Sequence, residues 1–343
     1  MLYALYLRLH HLLSRRKAVR ASVPTVCVGN VTVGGTGKTP HTEMILRKLL
    51  ASERWAYSNI AVLSRGYKRR SKGFQAVPYT ASASLGGDEP LQMARKFLPV
   101  TVAVDKDRVR GCKILSGELQ KEGLSLPKAD VIVLDDAFQY LRLKASVNIV
   151  LVDYNRPVFR DRLLPWGRLR DFPSRLQEAQ AVIVSKCPAY LDEWTCQQWR
   201  RKLRLREDQL LFFTTLSYSD PQPVFPEADS RYTYSGRLIL FTGIAADGPL
   251  RSYLSDKYKI VRRMQFPDHH RYTRADMRTL SAAVRDNPTA CLMTTEKDAQ
   301  RLREVKDVQD LIRQRLFYVP VEARFLTEEQ DRAFTDFLLN SLQ

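Results

Sequence analysis

Acidic residues are in short supply in this 343-residue sequence: 37 Asp and Glu stand against 55 Lys and Arg, a formal net charge of +18. That excess gives the surface a strong positive field, suited to nucleic acid, anionic lipid headgroups or phosphorylated substrates, and charge alone does not choose among them. Cysteine is also sparse. The five residues (Cys27, Cys112, Cys187, Cys196, Cys291) are odd in number, scattered and without a C-x-x-C, which argues against a disulfide framework or a zinc site and for a reducing compartment. No uncharged apolar run reaches the ~20 residues needed to span a bilayer. A secretory signal would place its positive charges first, whereas Arg15, Arg16, Lys17 and Arg20 come last, with no small-residue cleavage site. Repeats and low-complexity tracts are absent. A guanine-reading N-K-x-D is missing too, because Thr295–Asp298 (TEKD) has its lysine one place late, so a GTPase switch is disfavoured. With no nucleic-acid motif and no aromatic platform among the basic residues, neither a nucleic-acid partner nor an obligate protein partner is expected.

What is present centres on Pro24 to Leu50, PTVCVGNVTVGGTGKTPHTEMILRKLL. A short apolar run (Thr25 to Val28) stops at Gly29, and a glycine-rich loop leads to Lys38-Thr39. Met44, Ile45, Leu49 and Leu50 then recur at helical spacing. Strand, loop with terminal GKT and helix form the architecture of a phosphate-binding P-loop, here Thr32, Val33, Gly34, Gly35, Thr36, Gly37, Lys38 and Thr39. Its backbone N–H groups curl around phosphate, Lys38 reaches the β/γ-phosphates and the Thr39 hydroxyl takes Mg²⁺. Pro40 suits a first helical turn, where its missing N–H would have had no partner. Thr32 departs from the general motif, which has Gly there.

At 343 residues and 44% hydrophobic content, the chain is long and apolar enough for two domains. Leu2, Leu5, Tyr6, Leu9, Leu12 and Leu13 form one apolar helical stripe. It reads either as a helix packed on its own domain or as an interfacial helix on anionic lipid. Asn59 to Ser64 is a buried-strand run ending in the basic cluster Arg65 to Arg70, at the strand end where open α/β sheets bind ligands. Gly86-Gly87-Asp88-Glu89-Pro90 opens a helix, where Asp88 and Glu89 suit the N-terminus as caps. Pro99 to Val104 is another strand run, followed by Asp105 to Arg108. Val131 to Asp136 (VIVLDD) fits a Walker-B strand whose tip carboxylate holds Mg²⁺ directly or through water. Val147 to Val152 and Ala181 to Ser185 are further strands, and Asp161 to Asp171 between them is dense in arginine.

The alternation predicts an α/β fold: a P-loop NTPase-type, mostly parallel sheet core covered on both faces, with a second, smaller α/β domain and an N-terminal amphipathic helix. The expected boundaries are residues 1–20 for that helix, 21–216 for the P-loop kinase domain, 217–235 for a proline-rich linker and 236–343 for the smaller domain. In the last, His269 and His270 follow Asp268 at the end of an apolar run, and an amphipathic helix covers Thr327 to Leu342.

In order and spacing these landmarks resemble the tetraacyldisaccharide 4′-kinases of lipid A biosynthesis nearly end to end. The match includes GNVTVGGTGKTP (Gly29 to Pro40), SRGYKR (Ser64 to Arg69), GDEP (Gly87 to Pro90) and LDDAFQ (Leu134 to Gln139). It continues with DRLLPWGRLRD (Asp161 to Asp171), FPDHH (Phe266 to His270) and TTEKD (Thr294 to Asp298). The family also uses a hydroxyl residue at the position of Thr32. The resemblance implies ATP- and Mg²⁺-dependent phosphoryl transfer to the 4′-hydroxyl of a membrane-embedded, tetraacylated glucosamine disaccharide 1-phosphate. It places the enzyme peripherally on an anionic membrane surface, the cytoplasmic face of the inner membrane of a Gram-negative bacterium. Residue by residue it makes Asp88 the general base, His269 its partner and Lys38 the phosphate lysine. It also makes Asp135, Asp136, Arg170 and Asp171 the lining of the metal and phosphate site. From their own positions, Arg65, Lys68 and Arg108 are expected with Arg170 to contact substrate or phosphate, and Thr39 with Asp135, Asp136 and Asp171 to hold the metal. Asp88 and His269 would meet on closure of the two domains.

Two of these motifs depart from the family pattern. The family commonly has DDGFQHR where this chain has Ala137 and Tyr140. It also commonly has GNLREP where this chain has Gly167-Arg168-Leu169-Arg170-Asp171-Phe172, and the shorter Asp171 puts direct metal ligation in doubt. The rival from another class is a P-loop ATPase that uses its charge on nucleic acid or a protein partner.

Overall fold

In the computed structural model, which describes residues 2–343, the chain opens with helix α1 (Leu2–Arg15) and a two-residue strand β1 (Val19–Arg20). Strand β2 (Thr25–Asn30) is buried at every position and runs into helix α2 (Lys38–Ala51) through the glycine-rich loop. Then follow β3 (Ile60–Ser64), β4 (Gln75–Ala76), α3 (Ala83–Gly86), α4 (Asp88–Lys96), β5 (Thr101–Val104) and α5 (Arg108–Leu115). The acidic-tipped strand is β6 (Val131–Asp135), succeeded by β7 (Leu143–Lys144), β8 (Val147–Asp153), β9 (Ala181–Ser185), α6 (Glu193–Leu203) and β10 (Leu210–Tyr218).

The smaller set is β11 (Gln222–Pro223), β12 (Arg237–Thr242), α7 (Gly248–Ser255), β13 (Lys259–Gln265), α8 (Arg274–Asp286), β14 (Cys291–Thr295), α9 (Glu296–Leu302), α10 (Asp310–Arg313) and β15 (Leu316–Val319). The chain ends with β16 (Val321–Phe325) and α11 (Glu328–Asn340).

The large sheet has the order β16-β10-β9-β8-β2-β6-β3-β5-β4, with every pair from β10 to β5 parallel and β4 antiparallel at the edge. Parallel strands need crossovers, and the crossover helices bury both faces. This explains why the strands read as unbroken apolar runs. One face is filled by Met44, Ile45, Leu46 and Leu49 of α2 with Leu91 and Met93 of α4, each large side chain contributing about 1.5–3 kcal/mol. The P-loop strand β2 lies between β6 and β8, and the register pairs Val28 with Asp135. The acidic tip of β6 is thereby fixed beside the loop. The expected P-loop NTPase-type α/β fold is what forms.

The chain divides into two units, Met1–Ser217 with Glu322–Gln343, and Tyr218–Val321. The second contains the sheet β11-β15-β14-β12-β13, parallel apart from β11. This division differs from the expected boundaries in two places. The segment 217–235 is not a free linker: Val224 and Phe225 are buried in the smaller unit's core beside Phe241 and Leu280, and apolar burial outweighs the segment's proline content. The C-terminal stretch returns to the larger unit, where Phe334, Leu338 and Leu342 pack against Phe212 and Lys48 hydrogen-bonds Asp331 and Thr335 at 2.7 Å each.

Helix α1 turns Leu7 inward and leaves Leu2, Leu5, Tyr6, Leu9, Leu12 and Leu13 exposed. The apolar stripe therefore faces away from the unit's core. Among the described residues no helix is long and apolar enough to cross a membrane.

Candidate active site

The loop between β2 and α2 is held by its carbonyls. Gly37, at φ +85, makes the left-handed turn into α2, a conformation that costs other residues a clash at Cβ. His41, one turn into the helix and fully buried, closes on the Gly37 carbonyl through Nδ1 at 2.7 Å and on Thr214 Oγ1 through Nε2 at 2.8 Å. The carbonyl can only accept, so Nδ1 carries the proton and Nε2 accepts from the threonine. Burial pushes this imidazole down to about 4, which keeps it neutral. Ser185 Oγ donates to the Thr36 carbonyl at 2.8 Å, and Lys186, paired with Asp153 at 2.6 Å, donates to the Gly35 carbonyl. Three successive carbonyls are thus engaged, Val33 and Thr36 give their N–H groups to the Arg168 and Gly34 carbonyls, and the N–H groups of the loop glycines Gly34, Gly35 and Gly37 are left for an anion.

The opposite wall is the tip of β6. Asp136, at φ +49, turns back toward the loop, where Lys38 Nζ stands 3.7 Å from Oδ2 and Arg170 grips both oxygens. Burial opposes ionisation of Asp136, but Lys38 and then Arg170 outweigh it and hold the carboxyl below its usual range. Arg170 also reaches the Asn30 side-chain oxygen at 2.6 Å, while the Asn30 amide donates to Thr32 and Thr36 at 3.2 and 2.9 Å. Asn30, unremarked in the sequence, thus ties both ends of the loop to the arginine. Its one sequence signal is a buried amide at the end of an apolar strand.

Asp135 is buried and accepts from Thr42 (3.2 Å) and Ser64 (3.1 Å). Burial, then the charges of Glu89 and Asp136, push its carboxyl up to about 7, against Lys38 and Ser64. A buried acid that resists ionisation beside a hydroxyl-bearing helix start suits a small hard cation with oxygen ligands. Asp135, the Glu89 whose charge acts on it and the buried Thr39 are the oxygen-bearing side chains that would supply such ligands. Glu89 was expected only as a cap. Among the described residues no three His, Cys, Asp or Glu side chains converge as a ready metal cage.

The other expected residues separate into groups. Arg108 is buried and lies over the Tyr140 ring at 5.1 Å, with a nitrogen 3.4 Å from the Asp136 carbonyl. Burial and then the neighbouring Arg65 charge lower its affinity for its proton. Tyr140, one of the departures from the family pattern, supports it by donating to Asp107 at 2.7 Å. Lys68 is exposed, its ammonium 5.6 Å from the Tyr67 ring centre. Asp88 is the first residue of α4, presented by Gly87 at φ +92, where a Cβ would meet the Tyr67 carbonyl at 2.9 Å. Two of the sequence landmarks, GDEP and SRGYKR, are therefore packed on each other.

Asp171 departs from its expected metal role. Its Oδ1 takes His11 Nε2 and the Phe172 N–H, both at 2.9 Å, and its Oδ2 takes Arg175 at 2.7 Å. The carboxylate is committed to α1 and Arg175, because strong buried partners occupy both oxygens. Arg168, unassigned from sequence, acts through its backbone: its carbonyl accepts from Val33 N at 2.7 Å while its side chain is exposed.

In the smaller unit, His269 sits at φ +60 with its N–H on the Gly243 carbonyl at 3.0 Å. Asp298, fully buried, holds the Gly243 N–H at 3.0 Å and accepts from Thr295, Tyr272 and Arg301. The TTEKD sequence thus fixes the turn from which His269 is presented. His270 bonds Asp276 at 2.9 Å and stacks on Phe266, a structural role.

Comparison with known proteins places this geometry. Residues 1–343 match the profile of the family described as LpxK, tetraacyldisaccharide-1-P 4′-kinase. Proteins named tetraacyldisaccharide 4′-kinase are similar to the chain at 36% identity. They include those of Parabacteroides distasonis (99% of this chain, 92% of that protein), Porphyromonas gingivalis (100% and 95%) and Phocaeicola vulgatus (92% and 85%). The solved structure of LpxK from Aquifex aeolicus in complex with ATP shares the fold, with a TM-score of 0.73 at 24% identity over 100% of this chain and 96% of that one.

Proposed function

The chain belongs to the tetraacyldisaccharide 4′-kinase family, and on that premise we propose how its residues carry out the family's reaction. The activity is ATP-dependent phosphorylation of the 4′-hydroxyl of a tetraacyldisaccharide 1-phosphate in lipid A biosynthesis. The observation that carries the reading is the facing of the P-loop and the β6 tip, with Lys38 and Arg170 both on Asp136.

The Thr32–Thr39 loop, held through the engaged carbonyls of Gly35, Thr36 and Gly37, cradles the phosphates of ATP on the N–H groups of its glycines. Lys38 and Arg170 exchange their hold on Asp136 for the transferring phosphoryl, and Arg108 adds positive charge behind them. Preorganised cations of this kind supply most of the barrier reduction in phosphoryl transfer. Thr39, Asp135 and Glu89 would hold Mg²⁺, which when bound neutralises the phosphate oxygens. A sugar hydroxyl is a poor nucleophile, so a carboxylate must accept its proton as the bond to phosphorus forms. Asp88, carried by the family resemblance and presented at the start of α4, is assigned that role, with His269 supporting its proton transfer.

The exposed stripe of α1, followed by Arg15, Arg16, Lys17 and Arg20, is assigned to an anionic membrane surface, where the acylated substrate resides. The reading places the enzyme peripherally on the cytoplasmic face of the inner membrane.

The test is ATP turnover with lipid-linked disaccharide 1-phosphate, compared with DNA or RNA. Stimulation by the lipid, lost in Asp88→Asn and reduced in His269→Ala, is expected. Stimulation by nucleic acid alone would overturn the reading. An unchanged kcat in His269→Ala would leave Asp88 to act without it.

A further inference from the structure

The segment Arg170–Phe172 is gripped from two sides. On the site side, the Val31 carbonyl accepts the N–H groups of both Arg170 (2.9 Å) and Asp171 (3.2 Å), while the Arg170 guanidinium holds Asp136 and Asn30. On the other side stands α1. Tyr3 donates its hydroxyl to the Arg170 carbonyl at 3.0 Å, His11 bonds Asp171 at 2.9 Å and meets Phe172 edge-on, and Arg15 pairs with Glu178. A second tie runs through Arg175, which links Asp171 to the Phe138 carbonyl at 2.9 Å, two residues beyond Asp136. The helix is therefore fastened to both backbone stretches that carry the phosphate cluster.

Helix α1 has little else to hold it. It has 14 residues, and Leu7 is its one buried residue, whereas isolated helices of this length are marginal in water and depend on packing. Its inner face supplies the polar clasps at Tyr3 and His11. Its outer face offers the exposed Leu2, Leu5, Leu9, Leu12 and Leu13. Anything that seats on the outer face steadies the inner one.

We propose that Tyr3 and His11 are positioning residues through which a lipid surface docked on the outer face of α1 steadies Arg170, so that membrane docking and nucleotide binding strengthen each other. The proposal rests on the interfacial assignment of α1 and goes beyond it, since docking alone would only concentrate enzyme at its substrate. Coupling between two binding events is reciprocal: ATP tightens vesicle binding by the same factor by which vesicles tighten ATP binding.

The experiment uses the full chain and phosphatidylcholine vesicles containing phosphatidylglycerol, free of any disaccharide substrate. ATP affinity is measured by calorimetry with and without vesicles, and vesicle binding by co-sedimentation. Docking is expected to lower the Kd for ATP by roughly fivefold, the lower end of couplings between sites. An anionic surface repels ATP, so electrostatics alone would shift the affinity the other way. Tyr3→Phe keeps the ring and the outer face but removes the hydroxyl. It should sediment with vesicles like the wild type and lose most of the fivefold gain, and His11→Gln should do the same. An unchanged ATP affinity in sedimenting wild-type protein overturns the coupling, as does a full gain in both variants. Failure of the wild type to sediment would instead overturn the interfacial assignment, and this proposal with it.

Discussion

Replacing His41 with glutamine removes an ionisable group from beneath the P-loop while leaving one donor and one acceptor there. The wild-type imidazole is fully buried, donates to the Gly37 carbonyl and accepts from Thr214. It titrates at about 4, against an ordinary value of 6.5. Because the folded value is depressed, the unfolded chain binds the proton more readily. The neutral form's stabilisation is intact above about pH 6.5 and is lost progressively as pH falls toward 4. Between about pH 8 and pH 5 the linkage amounts to about 2 kcal/mol for this one group. The glutamine variant starts about 1–2 kcal/mol lower from imperfect hydrogen bonds, but that offset does not change with pH. Hydrogen exchange of the buried α2 amides across a urea series at both pH values reads the difference. The wild type should lose about 2 kcal/mol more than the variant on acidification. Equal losses in the two proteins would refute a neutral, buried His41 as the clasp on the loop.

Other perturbations separate the remaining assignments. Lys38→Met should lower kcat by about a hundredfold to a thousandfold, the usual loss when one preorganised charge on a transition state is removed; steady-state kinetics in ATP checks it. Asp135→Asn removes a carboxyl whose ionisation burial, Glu89 and Asp136 oppose. Calorimetry should show a Tm higher by about 2–4 °C per kcal/mol recovered, while activity falls by about a hundredfold or more; a variant both active and less stable would contradict the cation assignment. Leu5→Glu with Leu9→Glu alters exposed positions of α1, and each change should weaken vesicle binding by about tenfold or more, since a leucine side chain transfers with about 1.5–3 kcal/mol.

Local pattern carried the reading where the structure is locally determined. The run Thr25–Asn30, the glycine loop and the helix from Lys38 form as expected, and so does the acid-tipped strand at Val131–Asp135. Each is written in a few adjacent residues by burial and turn chemistry. The stripe of α1 was legible as a helix face, but its direction was not, because periodicity gives a face without saying what covers it. Long-range placements lay outside the sequence's reach. Asp171 meets His11 across 160 positions of chain, and Phe334 returns to a core begun by Val26; neither pairing leaves a mark in a local window. Glu89 looked like a helix-terminal acid because it lies in the first turn of α4, and the role proposed for it rests on its charge acting on Asp135 at the β6 tip, a long-range pairing. The carbonyl clasps at Gly35, Thr36 and Gly37 come from Lys186, Ser185 and His41, residues with no motif of their own.

The most direct measurement is the fate of the γ-phosphate. Enzyme, ATP labelled in its γ-phosphoryl and a tetraacyldisaccharide 1-phosphate presented in anionic vesicles are incubated, and the lipid product is located by mass spectrometry and phosphorus NMR. The account predicts one labelled phosphate on the 4′-oxygen, abolished by Lys38→Met and by Asp88→Asn. Label released only as inorganic phosphate, or a disaccharide left unmodified while ATP is consumed, would contradict it.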